Sequence, residues 1–424
     1  MLKYFLEKPY ISFDLKFRSY FSTKGLIKGL LIAFFISAFI YIVYFSLFSG
    51  LVLKVLTSIF AIAGFYLLLK EDQKTLFWAG FFTGLFWFYW VSLSFRFYEL
   101  EILIPLIVFI FSFGYGVFFW FIGALQKSYL RALAFLGFSY FHPFGFNWFV
   151  PELTLVDSFF DFTKLKFAIF LLSIIALIEF KNYYKLLFIP LFLLSVRYEN
   201  PSFVVSNQKI YLASRNIPQD KKWKEEYLDT IIKDNFRIID EAIKKKYDIV
   251  VLSESVFPMY LNSDVKLLKR LLKLSKKITI VTGSLYSDGK NGFNSAYYFI
   301  DGVFYVANKV VLVPFSEEIP LPRFISHYIN DYFFKGAEDF KTAKKPTDIP
   351  INGELFRNAI CYEATASPLY QGDPHLMIAI SNNAWFTPSI EPTLQHLLLR
   401  YYSRLHHTTI YHSANSGGTG IVQF

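Results

Sequence analysis

The chain has 424 residues, 54% of them hydrophobic and 21% aromatic, with 52 phenylalanines, which excludes an ordinary soluble protein and points to a membrane. Its formal net charge of +10 comes with no nucleic-acid recognition motif, and cytoplasmic anchoring charges facing anionic lipid account for it better. The single cysteine, Cys361, excludes an intramolecular disulfide and is either an inert buried group or a thiol kept for its reactivity.

Residues 1–28 carry six basic residues (Lys3, Lys8, Lys16, Arg18, Lys24, Lys28) and no small-residue cleavage site, which reads as an uncleaved cytoplasmic N-terminus. Apolar runs follow near 29–48, 51–69, 76–94, 102–125, 132–150, 167–180 and 186–196. Crossing about 30 Å of hydrocarbon takes roughly 20 helical residues, so the last two are short. Loops on one side hold Lys70 and Lys74, then Lys127 and Arg131, then Lys181 and Lys185. Loops on the other hold Arg96 and the stretch 151–163, with Glu152, Asp157 and Asp161 but no Lys or Arg. The bias follows the positive-inside rule. Residues 1–197 are therefore expected to form a helical membrane domain of about seven spans, and that odd number sends the remainder to the outer side.

After "SVRYENPSF" short apolar strands alternate with amphipathic helices. Strands are expected at 209–214, 248–253, 278–285, 295–301, 303–309, 356–363, 375–382 and 408–415, and helices at 223–244, 263–277 and 392–405. Residues 207–424 are thus expected to form a separate α/β domain with mixed sheets. The 263–277 helix sets Lys266, Lys269, Arg270, Lys273, Lys276 and Lys277 among leucines, either a solvated face or a rest on anionic headgroups.

Three chemically capable side chains lie at strand ends: Glu254 after "VVLS", Lys309 after "FYVAN" and Cys361 after "RNAI". Alpha/beta sheets present functional groups there. A thiol nucleophile needs a base for its proton and a cation or donors for the oxyanion. Taken singly, a strand-end Glu or Lys is more often solvated and a lone Cys more often core. A nearby lysine is also the means by which a thiol of ordinary pKa about 8.5 becomes thiolate at neutral pH.

Jointly, "LSES" with Glu254, "NKVVLVPFSEEIP" with Lys309 and Glu317, "CYE" at 361–363 and "SNNAWF" at 381–386 resemble the carbon–nitrogen hydrolase (nitrilase) superfamily. Within it they are most similar to the membrane-embedded apolipoprotein N-acyltransferases. The resemblance implies an αββα sandwich behind a multi-span domain, with Glu254 as general base, Lys309 stabilising the oxyanion and Cys361 as nucleophile. It implies that Glu317 orients the lysine or relays protons, that Tyr362 and Glu363 complete the motif, and that Trp223 and Trp385 surround the acyl donor and site entrance. The reaction implied is ping-pong: an acyl chain passes from a phospholipid, typically phosphatidylethanolamine, to the thiol and then to the N-terminal amine of a diacylglyceryl-cysteine apolipoprotein. No cofactor or metal is implied, and the compartment implied is the bacterial inner membrane with the catalytic domain in the periplasm.

The sequence departs from the family pattern at Ser316, usually glycine, and Asn383, usually aspartate, and it ends at Phe424 where the family usually continues to a final membrane helix. A membrane-tethered amidase acting on small amides would use the same three residues. A channel or transporter with a binding module would leave the cysteine unreactive, and paired charges within the spans are missing for it. His396, His406, His407 and His412 fit no common metal-ligand spacing, and "NSGGTG" lacks the context of a phosphate loop.

Overall fold

The computed structural model describes residues 22–180, 189–198, 201–314, 317–318 and 340–424. Lys181, Lys185, the first residues of the 186–196 run, and Phe315, Ser316, Ile319 and Pro320 of the motif after Lys309 lie outside the described residues. The chain divides into two compact units. One runs through Arg96 and adds Leu100–Tyr140 and Val150–Tyr198; the other takes Phe97–Glu99, Phe141–Phe149 and Glu199–Phe424.

The first unit is helical: α1 (Thr23–Tyr44), α2 (Gly50–Lys70), α3 (Gln73–Phe88, continued by a 3-10 turn to Tyr98), α4 (Ile104–Ala124), α5 (Ser128–Phe138), α6 (Lys164–Glu179) and α7 (Ile189–Ser195). Ser22 caps α1 by accepting from the Gly25 N–H, and Asp72 caps α3 by accepting from Thr75. Gly80 and Gly84 let α3 and α4 approach closely, since a Cβ on Gly80 would lie 2.3 Å from the Tyr115 carbonyl oxygen. Lys28 Nζ pairs with Glu71, and the Arg131 guanidinium donates to the carbonyls of Glu71, Leu125 and Gly123. Basic residues thus gather at the same ends of successive helices.

Among the described residues, Thr23–Tyr44, Gly50–Lys70, Gln73–Tyr98 and Glu101–Ala124 are long and apolar enough to cross a membrane. The expected crossing at 132–150 is not one helix. Its helical part, α5, has 11 residues, about 16 Å at 1.5 Å per residue, against about 30 Å of hydrocarbon. Pro143 and Gly145 (φ +80°) shape a 3-10 turn beyond it, and 141–149 packs within the second unit. Hydropathy measures how apolar a run is, not whether its backbone stays helical. The acidic residues of the stretch 151–163, Glu152, Asp157 and Asp161, are buried: Glu152 pairs with Lys164, and Asp161 Oδ1 accepts from the Phe162 N–H.

The second unit is built of β1 (Ile210–Leu212), α8 (Gln219–Lys222), α9 (Glu225–Lys244), β2 (Ile249–Val251), β3 (Phe257–Tyr260), α10 (Val265–Leu274), β4 (Thr279–Ser287), β5 (Gly292–Ile300), β6 (Val303–Asn308), β7 (Asp348–Ile351), β8 (Glu354–Ile360), β9 (Leu376–Asn382), α11 (Glu391–His406), β10 (Thr409–Asn415) and β11 (Gly420–Val422). The strands form two sheets, β1-β2-β4-β5-β6 with β3 on β4, and β11-β10-β9-β8-β7. Strands β1, β2 and β4 run parallel, as do β8, β9 and β10, and the outer strands add antiparallel.

Apolar residues of both sheets, among them Val251, Val281, Tyr298, Ile360, Ile378 and Ile380, bury one shared core. The other face of the first sheet packs on α9 and α10 through Ile231, Phe236, Ile239, Leu267 and Leu271. Helix α11 packs beside β10 and β11 of the second sheet, burying Leu394 and Leu398. The layers are αββα. Leu267 and Leu271 commit the apolar face of α10 to the core and leave Lys266, Lys269 and Lys273 exposed.

Candidate active site

The chain leaves β2 through Leu252 and Ser253 to Glu254, and the next residue, Ser255, turns into the left-handed region at φ +47°. That turn lies against β4 so closely that a Cβ on Gly283 would sit 2.5 Å from Ser255 N and 2.6 Å from Glu254 Cα. Lys222, fully buried at the end of α8, donates to the Glu254 carbonyl at 2.9 Å. Asn294 on β5 donates through Nδ2 to Glu254 Oε1 and to Glu317 Oε1, both at 2.8 Å. One amide thereby aligns two carboxylates.

Lys309 follows β6 directly, its backbone N–H held by the Asn294 carbonyl at 2.9 Å. Its buried Nζ lies 2.6 Å from Glu317 Oε2 and 4.0 Å from Glu254 Oε1. Glu317 Oε2 also accepts from the Val313 N–H. Burial by itself would lower the Lys309 ammonium, but Glu317, Glu254 and Cys361 outweigh it and hold it above its usual range.

Cys361 is the first residue after β8 and opens a 3-10 turn at φ +57°, a strained conformation for a side chain with a Cβ. Burial, then Glu254, push its thiol well above the ordinary value, and Lys309 only partly offsets them. Below it, Glu363 Oε1 accepts from the Ile360 N–H, and Oε2 accepts from Val310 and Val311 just after Lys309. Glu363 staples the thiol-bearing turn to the lysine-bearing one.

Glu254, Lys309, Glu317, Cys361, Trp223 and Trp385 all line one cavity of about 120 Å³. Trp385 stacks on Tyr98 with centroids 5.8 Å apart and meets Phe97 edge-on at 5.5 Å, and Trp223 is 46% exposed. Tyr362 and Glu363 do not line it. The Tyr362 hydroxyl accepts from the Asn147 N–H and donates to the Gly145 carbonyl, and its ring stacks on Phe146 and Trp148. Tyr362 thereby anchors segment 141–149.

Sequence reasoning missed Lys222, Asn294, Tyr98, Asn382 and Glu391. Asn382 lines the cavity and bonds Gln219 and Asn415, and Glu391 is buried beside Glu254, its carboxyl pushed well upward by burial and by that neighbour. No spacing marks these residues. His412 is a satisfied core group, bonded to Gly418 and Ser381 and lowered to about 4 by burial. Among the described residues no group of three or more His, Cys, Asp and Glu side chains could hold a metal ion.

A thiol at a strained turn, with a carboxylate able to take its proton and an ammonium beside both, is equipped for nucleophilic acyl chemistry. On an αββα scaffold joined to long apolar helices, it defines a membrane-type protein carrying an α/β domain with a cysteine-centred site. Residues 23–198 match the apolipoprotein N-acyltransferase integral membrane domain. The chain is similar to the apolipoprotein N-acyltransferases of Wolinella succinogenes (42% identical, 96% of this chain, 100% of the relative), Helicobacter pylori (38%, 85% and 86%) and Campylobacter jejuni (35%, 96% and 92%). It belongs to the apolipoprotein N-acyltransferase family.

Proposed function

We propose that this acyltransferase moves a fatty acyl chain from a membrane phospholipid, through a thioester on Cys361, to the N-terminal amine of diacylglyceryl-cysteine on apolipoproteins. The observation that carries the reading is the single cavity shared by Cys361, Glu254 and Lys309. Glu254 takes the thiol proton as sulfur attacks the ester carbonyl, and Lys309 stabilises the oxyanion. Collapse breaks the ester C–O bond, and the proton on Glu254 passes to the leaving alkoxide of the lysophospholipid. The acceptor amine then attacks the thioester, its proton goes to Glu254, and the sulfur leaves to recover it. Glu317 holds Lys309 charged and oriented between the two steps, and the aromatic wall of Trp223, Trp385 and Tyr98 shelters acyl chain, whose exposure to water costs about 0.8 kcal/mol per CH₂.

Phosphatidylethanolamine is the proposed donor. The proposed location is the bacterial inner membrane, with the N-terminus cytoplasmic, residues 1–197 as membrane domain and residues 207–424 as a periplasmic catalytic domain. The gathering of Lys28 and Arg131 around Glu71 at the ends of α1, α2 and α5 supports this orientation.

Intact-mass spectrometry after incubation with phosphatidylethanolamine, beside Cys361→Ala, tests the reading. A hydroxylamine-labile gain of one acyl chain, absent from the variant, is expected. No adduct on folded protein, together with ammonia release from small amides, would move the assignment to an amidase.

A further inference from the structure

Lys222 is a second buried lysine of the site, with a side chain wholly removed from solvent. It sits beside Trp223 in "QDKKW", where a lysine run reads as a solvated helix end. The last turn of α8 instead turns Lys222 inward, and its Nζ donates to the carbonyl of Glu254. That carbonyl belongs to the turn whose next residue is strained at φ +47°, pressed on Gly283. A strained turn persists only where its surroundings over-determine it. The Lys222 bond is one such constraint, placed on the backbone that carries the Glu254 carboxylate.

Charge gives Lys222 a second task. Glu254 and Glu317 are two carboxylates around one ammonium, Lys309, which leaves an excess negative charge beside a thiol that must become anionic. Lys222 acts on the same groups: Glu254 and Cys361 favour its charged form, and Arg215 opposes it.

We infer that Lys222 is a positioning residue for acyl-enzyme formation, fixing the Glu254 turn through its carbonyl and supplying the second positive charge of the site. The inference rests on the reading of Cys361 as nucleophile and Glu254 as base. Burial lowers Lys222 to about 7, against the pull of Glu254 and Cys361, so its charge is present below that pH and lost as pH rises through it.

The test measures acyl-enzyme formation by intact mass in full-length protein with phosphatidylethanolamine micelles, for wild type, Lys222→Arg and Lys222→Met. Displacing a general base by about 1 Å can cost about a hundredfold. Lys222→Met leaves the buried Glu254 carbonyl without its donor and should lower the melting midpoint somewhat, while lowering the maximal rate about tenfold to a hundredfold at a temperature where the variant is fully folded, with KM for lipid unchanged. Lys222→Arg should restore most of that rate and move the alkaline fall-off to higher pH, because a guanidinium stays charged. A wild-type rate in Lys222→Met overturns the inference, as does an equal loss in both variants with equally lowered midpoints. If Lys222→Met does not fold, the Lys222→Arg pH profile decides, and an unmoved fall-off overturns the inference. Wild type without a thioester overturns the reading of Cys361 itself; wild type with one, beside an unaffected Lys222→Met, overturns only the role of Lys222.

Discussion

Gly283→Ala places a methyl group on β4 where the Glu254 turn leaves no room. Its Cβ would lie 2.5 Å from Ser255 N and 2.6 Å from Glu254 Cα, whereas ordinary contact begins at 3.4 Å, so the turn must retreat by about 0.9 Å. The atoms in the way are backbone, which cannot swing aside as a side-chain tip can. Glu254 is also held by Asn294 and Lys222, so the retreat stretches those bonds too. Overpacking of this kind costs about 1–3 kcal/mol of stability. A catalytic group misplaced by about 1 Å loses about a hundredfold in rate. The assay is single-turnover acylation of Cys361 by phospholipid, read by intact mass beside a melting curve. The expected outcome is a rate loss far larger than the destabilisation explains at a temperature where the variant is fully folded. A Gly283→Ala enzyme with the wild-type rate would show that the Glu254 turn need not lie where the structure has it.

Asn294→Ala removes both hydrogen bonds that align Glu254 and Glu317, each to a charged group and worth about 1.5–3 kcal/mol, and should slow acylation at saturating lipid. Asn294→Asp should be slower still at neutral pH and recover as pH falls, because only its protonated form can donate to a carboxylate; a rate indifferent to pH would contradict this. Tyr362→Phe leaves the buried Asn147 N–H without its acceptor, a cost of about 1–3 kcal/mol, and should speed hydrogen exchange across 145–149 more than it slows acylation. Glu363→Gln puts an NH₂ against either Ile360 or Val310 and Val311 and should lower the melting midpoint. Burial raises Glu363 to about 7, with Lys309 and the backbone N–H bonds opposing, so its folded value lies above its unfolded one near 4.5. Its contribution is present at low pH and lost as pH rises from about 4.5 through 7, and Glu363→Gln should flatten that part of the midpoint-against-pH curve.

Composition and periodicity determined much of this protein by themselves. Four of the long apolar runs are helices long and apolar enough to cross a membrane, and the alternation of short apolar strands with amphipathic helices dictated an α/β unit. Glu254, Lys309 and Cys361 were legible because each ends a predicted strand inside a recognisable motif. The strands Phe257–Tyr260, Asp348–Ile351 and Gly420–Val422 escaped notice, being three or four residues long with proline or glycine at hand. The 132–150 run misled because apolar content does not reveal a helix that stops at Phe138.

Tertiary structure alone decided which polar residues serve the site. Asn294 and Lys222 are ordinary letters in their own segments, and Tyr362 and Glu363 look like site-lining groups until their bonds to Asn147, Gly145, Val310 and Val311 are seen. The sequence determined the types of chemistry on offer, since those depend on side chains. Their use depends on distances between residues far apart in the chain, which arise only when two sheets close on one core and bury charges that must then find each other.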